Sequence, residues 1–155
     1  IYFMLSRYGQ QQEIAQMDLF KELVIADYTF AKDKIFANLT LSDEEMRIYE
    51  KVWEPLSQAL PKPDLVIHLT ASVDNCLARI KLRARSFEKS ITADYLKQLT
   101  EAYNYFFHHY RETPLLVVDT NQIDFVKRKD DLEDLIRQIT RPFRGTQFYV
   151  PRGSR

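Results

Sequence analysis

Three short runs in this chain are continuously apolar: LVIAD (Leu23 to Asp27), DLVIHLT (Asp64 to Thr70) and PLLVVDT (Pro114 to Thr120). A strand with one face in water alternates apolar and polar residues. A run without alternation is the pattern of a strand covered on both faces in a parallel sheet. Helical patterns lie between the runs. SDEEMRIYEKVWEPLSQAL opens with Ser42 and Glu45 at capping-box spacing. SVDNCLARIKLRAR starts from a Ser72 cap directly after the second run. TADYLKQLTEAYNYFFHHY carries a stripe of Tyr95, Leu99, Ala102, Phe106 and Tyr110, and DDLEDLIRQI repeats the spacing with Leu132, Leu135, Ile136 and Ile139. Strands alternating with helices mean α/β with a parallel sheet. Chemistry in such sheets sits beyond the carboxyl ends of the strands. That rule puts Asp27, the segment after Thr70 and the loop DTNQIDFV on one rim.

A chain of 155 residues suffices for one domain with a real core. Its 22 basic and 22 acidic residues cancel, so there is no global pull toward nucleic acid or an acidic membrane, and any anion recognition is local. The single Cys76 excludes an internal disulfide framework and a cysteine zinc site and fits a reducing cytosol. No apolar run approaches the eighteen or so residues of a membrane span, and no signal peptide is visible, so a cytoplasmic location is expected. The chain opens inside what reads as an amphipathic helix, IYFMLSRYGQQQEIAQM, without an initiator methionine. A further N-terminal segment is therefore expected. The closing VPRGSR resembles a protease-site remnant, so the domain is taken as residues 1–150, with 151–155 set aside.

Against that neutral background, RIKLRARSFEKSI places Arg79, Lys81, Arg83 and Arg85 within seven residues. On a helix Arg79 and Arg83 share a face, and like charges at that spacing cost a few tenths of a kcal/mol. Two forked guanidiniums converging on a phosphate make bidentate, charge-assisted bonds that offset the cost, as phosphoryl transfer requires. A solvated helix face beside Glu88 is the alternative. The polar turn SFEKSIT is placed to fold back over the rim as a cover.

Other candidates are open to two readings each. Asp27, at the end of an apolar run, suits a metal-bound water or a hydroxyl, or equally a turn. Asp33, near Phe30, Ile35 and Phe36, suits a base stacked on an aromatic and read by a carboxylate, or an outward Asp beside a core pair of Phe. Arg7 stands one turn from an apolar face, where a snorkelling surface arginine is common. His68, His108 and His109 form no metal pattern, and Trp53 and the aromatic stripe are core. A phosphate-binding loop needs G-x-x-x-x-G-K-[ST] after a strand, and the only glycines are Gly9, Gly145 and Gly153.

From Ile1 to about Ile139 the chain resembles the deoxynucleoside kinase family. The resemblance is carried, in order, by LSRY, DYTFAKDKIFA, LPKPDLVIHLTAS, RIKLRARSFE, YLKQLTEAYNYFF and LLVVDTNQIDFV. The bacterial deoxyguanosine/deoxyadenosine kinase branch is the nearest, because it also has ADY where other members have an acidic residue followed by Arg. The resemblance implies a three-layer parallel sheet of the P-loop nucleoside and nucleotide kinase type. It also implies transfer of the γ-phosphoryl of ATP, with Mg²⁺, to the 5′-hydroxyl of a purine deoxynucleoside, and a homodimer formed through helices.

Residue by residue, Arg83 and Arg85 fall on the lid arginines that grip the donor phosphates and the transferring group, with Arg79 supporting them. Glu88 falls on the lid acid that holds the sugar 3′-hydroxyl. Arg7 falls on an arginine that reads the base, and Asp33 lies near the base-contacting acid. Asp27 falls on the acidic residue near the magnesium, and Tyr28 stands where many members have an arginine that steadies the 5′-oxygen. Asp124 and Phe125 fall on the loop beside the donor adenine. The family's phosphate loop and general base are expected upstream of Ile1, so these 155 residues alone should not turn over. In the complete protein, Arg83→Ala should cut turnover with little loss of stability. A thymidylate-type monophosphate kinase and a non-catalytic kinase-like subunit are the rival readings.

Overall fold

The computed structural model describes residues 2–17, 23–88 and 90–151. It forms two compact units, Ile1–Lys62 and Pro63–Arg155. Residues 152–155, most of the segment set aside above, lie outside the described residues.

The first unit is helical: α1 (Tyr2–Met17), α2 (Lys32–Thr40) and α3 (Asp43–Gln58). Its best-specified boundary is the start of α3. The Ser42 side chain accepts from the backbone N–H of Glu45, and the Glu45 carboxylate accepts from the Ser42 backbone N–H at 2.9 Å. Both orphan donors of the first turn are thus satisfied reciprocally. Met4, Phe30, Ala37, Tyr49 and Leu60 form the core, and the Phe30 ring stacks on Trp53 at 5.8 Å with the planes 8° apart. Phe30 is therefore a core residue. Helix α1 buries Met4 while Tyr2, Phe3 and Leu5 are exposed. Consecutive helical residues point about 100° apart, so four apolar residues in a row cannot share one stripe.

LVIAD is not a strand. Leu23 to Asp27 has no ladder partner, and Leu23 is 73% and Ile25 87% exposed. An apolar run becomes a parallel strand only when neighbours take its N–H and C=O groups. Among the described residues the first unit contains no strand to do so. Asp27, expected at a strand end on the sheet's rim, instead lies on an exposed bend.

The second unit holds the sheet. Strand β1 (Val66–Thr70) is followed by α4 (Val73–Arg83), a 3₁₀ turn (Ser86–Glu88) and α5 (Ala93–His109). Then come β2 (Leu115–Asp119), α6 (Lys129–Ile139) and β3 (Thr146–Tyr149). All pairing is parallel in the order β1-β2-β3, with Val66 opposite Leu115, Thr70 opposite Asp119 and Leu115 opposite Thr146. The central β2 buries Leu115, Leu116 and Val118 completely, as its unalternating sequence requires. β1 departs from that expectation: Val66 and His68 are buried while Ile67 and Leu69 are exposed. β3, TQFY, went unanticipated because its short, partly polar sequence carries no such signal. It is entered through Gly145 at φ +69°, a conformation that a Cβ disfavours, whose carbonyl accepts from Leu115 N–H at 2.9 Å.

Helix α4 starts as read, from the Ser72 cap, and α5 starts from a Thr92 cap. Of the expected α5 stripe, Tyr110 is buried, Leu99, Ala102 and Phe106 are half-buried and Tyr95 is exposed, while Leu96 and Phe107 beside it are buried. Phe107 and Tyr103 of this helix stack on His68, at 4.2 and 5.9 Å. On α6, Leu135 and Asp131 are buried, and Leu132 and Ile136 are exposed.

His68 makes the fold sensitive to pH. Burial pushes its pKa from 6.5 down to about 4, against a smaller opposing hydrogen bond with Asn104. The unfolded chain binds the proton more readily, so stability should be lost as pH falls from 6.5 toward 4, by up to about 3 kcal/mol. Urea unfolding at pH 7, 6 and 5 should show this decline, and His68→Phe should flatten it. Equal slopes in the two proteins would remove His68 as the source.

Candidate functional site

In the second unit, the candidate residues cluster where α4 meets the carboxyl ends of β1 and β2. α4 begins on a double cap. Ser72 Oγ accepts from Asn75 N–H at 3.3 Å, and the Asn121 carboxamide oxygen accepts from Ser72 N–H at 2.8 Å and from Asn75 Nδ2 at 2.9 Å. Asp74 lies in its first turn and Lys81 and Arg83 in its last, the polarity the helix dipole favours. Arg79 reaches back to the end of β2, donating from Nη1 to Thr120 Oγ1 at 2.9 Å and from Nη2 to Thr120 O at 2.7 Å.

Helix α4 stops at Ala84, which takes a left-handed conformation at φ 53°, ψ 31°. The chain then turns, and Glu88 folds back onto the arginines. Its carboxylate, with the side chain 8% exposed, accepts from Arg83 Nε at 3.1 Å and from Arg83 Nη2 at 2.8 Å. Arg85 Nη1 stands 4.0 Å from the same carboxylate. Arg83 is 51% exposed, so its guanidinium is held by Glu88 with one face open to water. The arginine cluster is thus neither a uniformly solvated face nor a set of free cations. A single buried acid gathers two of its members.

Asp124 and Phe125 are engaged in the structure of the loop after β2. Asp124 Oδ1 accepts from the Val126 and Lys127 backbone at 3.2 and 3.1 Å, and its own N–H donates to Asp131 at 2.8 Å. Phe125 packs against the cluster of Leu116, Val118, Ile123 and Leu135. Asp131, which does not stand out in the sequence, also accepts from Arg128 at 2.8 Å. Its only sequence signal is an acidic residue in the first turn of α6.

In the first unit, Arg7, Tyr28 and Asp33 come together. The Arg7 guanidinium lies 4.1 Å from the Tyr28 ring centroid, and its Nε is 3.9 Å from Asp33 Oδ1. Asp33 Oδ2 accepts from the Tyr49 hydroxyl at 3.0 Å, and Tyr28 O accepts from Gln11 at 3.5 Å. Burial, and then the Asp33 charge, pushes the Tyr49 hydroxyl far above its ordinary pKa, so it is a fixed donor to that carboxylate. Tyr49 was not singled out from sequence, where it reads as one more apolar-face aromatic of α3. Asp27 lies apart and exposed. The ammonium of Lys32 is destabilised by burial and then by Arg7, and the Asp27 charge opposes both. Among the described residues no three His, Cys, Asp or Glu side chains are grouped as a metal cage.

The deoxynucleoside kinase family model matches residues 1–143. This chain belongs to the deoxynucleoside kinase family. It is 36% identical to a deoxyguanosine kinase of Bacillus subtilis over 144 residues, covering 90% of this chain and 70% of that protein. It is 34% identical to a deoxyadenosine kinase of Dictyostelium discoideum over 154 residues, covering 96% of this chain and 59% of that one. A deoxyadenosine kinase of Lactobacillus acidophilus is 27% identical over 158 residues, with 92% and 74% covered. The chain thus spans between 59% and 74% of the length of these relatives.

Ala84 separates Arg83 from Arg85 in a backbone conformation that costs a non-glycine residue about 1 kcal/mol. Ala84→Gly should therefore raise stability by about 0.5–1 kcal/mol, a gain reduced by the extra freedom of glycine in the unfolded chain. Chemical denaturation checks this, and a drop in stability would contradict the strain assigned to Ala84.

Proposed function

We propose that this chain supplies the acceptor pocket and the phosphate-gripping lid of an ATP-dependent kinase for purine deoxynucleosides. The reaction breaks the bond between the γ-phosphorus and its bridging oxygen and forms one to the nucleoside 5′-oxygen, whose proton leaves to a base. The observation that carries the proposal is the pairing of Arg83 and Arg85 with the buried Glu88, in the segment that resembles the family's lid. Charge in phosphoryl transfer spreads over the equatorial oxygens of the transferring group, and positioned guanidiniums stabilise it.

The roles follow. Arg83 and Arg85 bind the donor phosphates, with Arg79 in support. Glu88 accepts from the sugar 3′-hydroxyl. A carboxylate has about four lone-pair sites, so the bonds from Arg83 leave room for it. Arg7 and Asp33 read the base, with Tyr49 fixing the Asp33 carboxylate and Tyr28 lying under Arg7. Asp124 and Phe125 border the donor adenine.

Asp27 is the candidate for Mg²⁺. One accessible carboxylate fits the usual protein share of such a site, in which phosphates and water supply the other ligands. Bound there, the ion would neutralise charge on the donor phosphates. The names of two relatives above 30% identity, one a deoxyguanosine and one a deoxyadenosine kinase, support a purine acceptor. A cytoplasmic homodimer completes the proposal. The exposed Tyr2, Phe3 and Leu5 of α1 offer apolar surface that a partner helix could cover.

Turnover of the full-length gene product with ATP and each deoxynucleoside or deoxynucleoside monophosphate tests the reading. Deoxyguanosine or deoxyadenosine should be phosphorylated and the monophosphates should not. Phosphorylation of monophosphates alone would overturn it. Arg83→Ala should lower turnover on the order of a hundredfold. Contrary to the expectation from sequence, it should also cost about 1 kcal/mol of stability, because Glu88 then loses a bidentate partner while staying buried.

A further inference from the structure

Thr120 is the first residue past β2 and is 1% exposed. Its backbone N–H donates to Thr70 O at 2.9 Å, so the end of the β1–β2 pairing is already served by the main chain. Its hydroxyl donates to the same Thr70 oxygen at 2.8 Å and accepts from Arg79 Nη1 at 2.9 Å, while its carbonyl accepts from Arg79 Nη2 at 2.7 Å. The hydroxyl and carbonyl of one residue thus form a two-pronged acceptor that matches the fork of a guanidinium. Valine would fill the same space and suit the strand end equally well. The hydroxyl is surplus to the sheet, and the group it serves is Arg79.

The consequence lies one helical turn further on. Asn121 holds the first turn of α4 through Ser72 and Asn75, and Thr120 holds Arg79 farther along the same helix. Two tethers on one loop fix both the position of the helix and its rotation about its own axis. Arg79 and Arg83 are four residues apart on the same face, so any rotation that frees Arg79 also carries Arg83 away. We propose that Thr120 is a positioning residue for phosphoryl transfer. Through Arg79 it sets the rotation of α4, and so the place where Arg83 and Arg85 meet the donor phosphates. The inference rests on the kinase reading above.

The test is steady-state kinetics of the full-length protein and its Thr120→Val, Thr120→Ser, Arg79→Met and Thr120→Val/Arg79→Met variants. Misplacing a phosphate-binding group by a fraction of an ångström should raise the KM for ATP about tenfold in Thr120→Val, with KM for the deoxynucleoside within about twofold of wild type. Thr120→Ser keeps the oxygen and should restore the wild-type KM for ATP. Arg79→Met leaves the Thr120 hydroxyl in place and should reproduce the Thr120→Val profile, so the proposal does not depend on how well the valine variant folds. The double variant should be no worse than Arg79→Met alone, since both changes remove the same tether.

Equal kinetics for the valine and serine variants, an unchanged KM for ATP in Arg79→Met, a defect confined to the deoxynucleoside KM, or effects that multiply would each overturn the proposal. A wild-type protein without deoxynucleoside kinase turnover would refute the kinase reading, and that result is distinct from an active wild type whose variants fail these expectations.

Discussion

Cations packed along one helix turn must each find a counter-charge or a dipole, and the way this chain meets that constraint organises the second unit. Arg79 is taken by a hydroxyl and a carbonyl at the end of β2, Arg83 by both oxygens of Glu88, and Arg85 only loosely, 4.0 Å from the same acid. The three guanidiniums thus form a series from anchored to available. A neutral-acceptor tether is not weakened by a polyanion arriving nearby, whereas a carboxylate competes directly with phosphate for its arginine. Such a series suits a helix that must hold its place while its far end engages a charged donor.

The sheet supplies the fixed end of that series. Parallel strands deliver their carboxyl ends to one side, and here Thr70 ends β1 opposite Asp119, with Thr120 just beyond β2 donating to the Thr70 carbonyl. The loop beyond β2 then serves twice. Asn121 caps α4, while Asp124 and Phe125 close the same loop against α6 and the core. The first unit follows a comparable logic on a smaller scale, with Asp33 fixed by a tyrosine hydroxyl and flanked by Arg7.

Features of the fold governed by local chemistry were readable in the sequence. Ser42 and Ser72 cap where their side chains are needed, and β2 buries Leu115, Leu116 and Val118 because the run from Leu115 to Val118 is wholly apolar. Features that depend on neighbours were not. LVIAD has a strand's composition but no described partner in its unit, and β3 has a partner but an unremarkable composition. That Phe107 of α5 stacks on His68, a residue far off in sequence, left no signal in its own segment. The site divides in the same way. A run of arginines announces itself as charge, and the sequence also singled out Arg7 and Asp33, which stand 3.9 Å apart. Thr120 and Tyr49 leave no pattern, because one hydroxyl among strand or helix residues is ordinary until its partner is known.

On the proposed reading, Arg83 and Arg85 are neutralised in turn by Glu88 and by a donor polyphosphate. A crystal structure of the full-length protein with a purine deoxynucleoside and a non-hydrolysable ATP analogue tests it most directly. Arg83 and Arg85 should lie within hydrogen-bond distance of the donor phosphate oxygens, with Arg79 still on Thr120. Phosphates bound elsewhere, with Arg83 and Arg85 turned into bulk water, would contradict it.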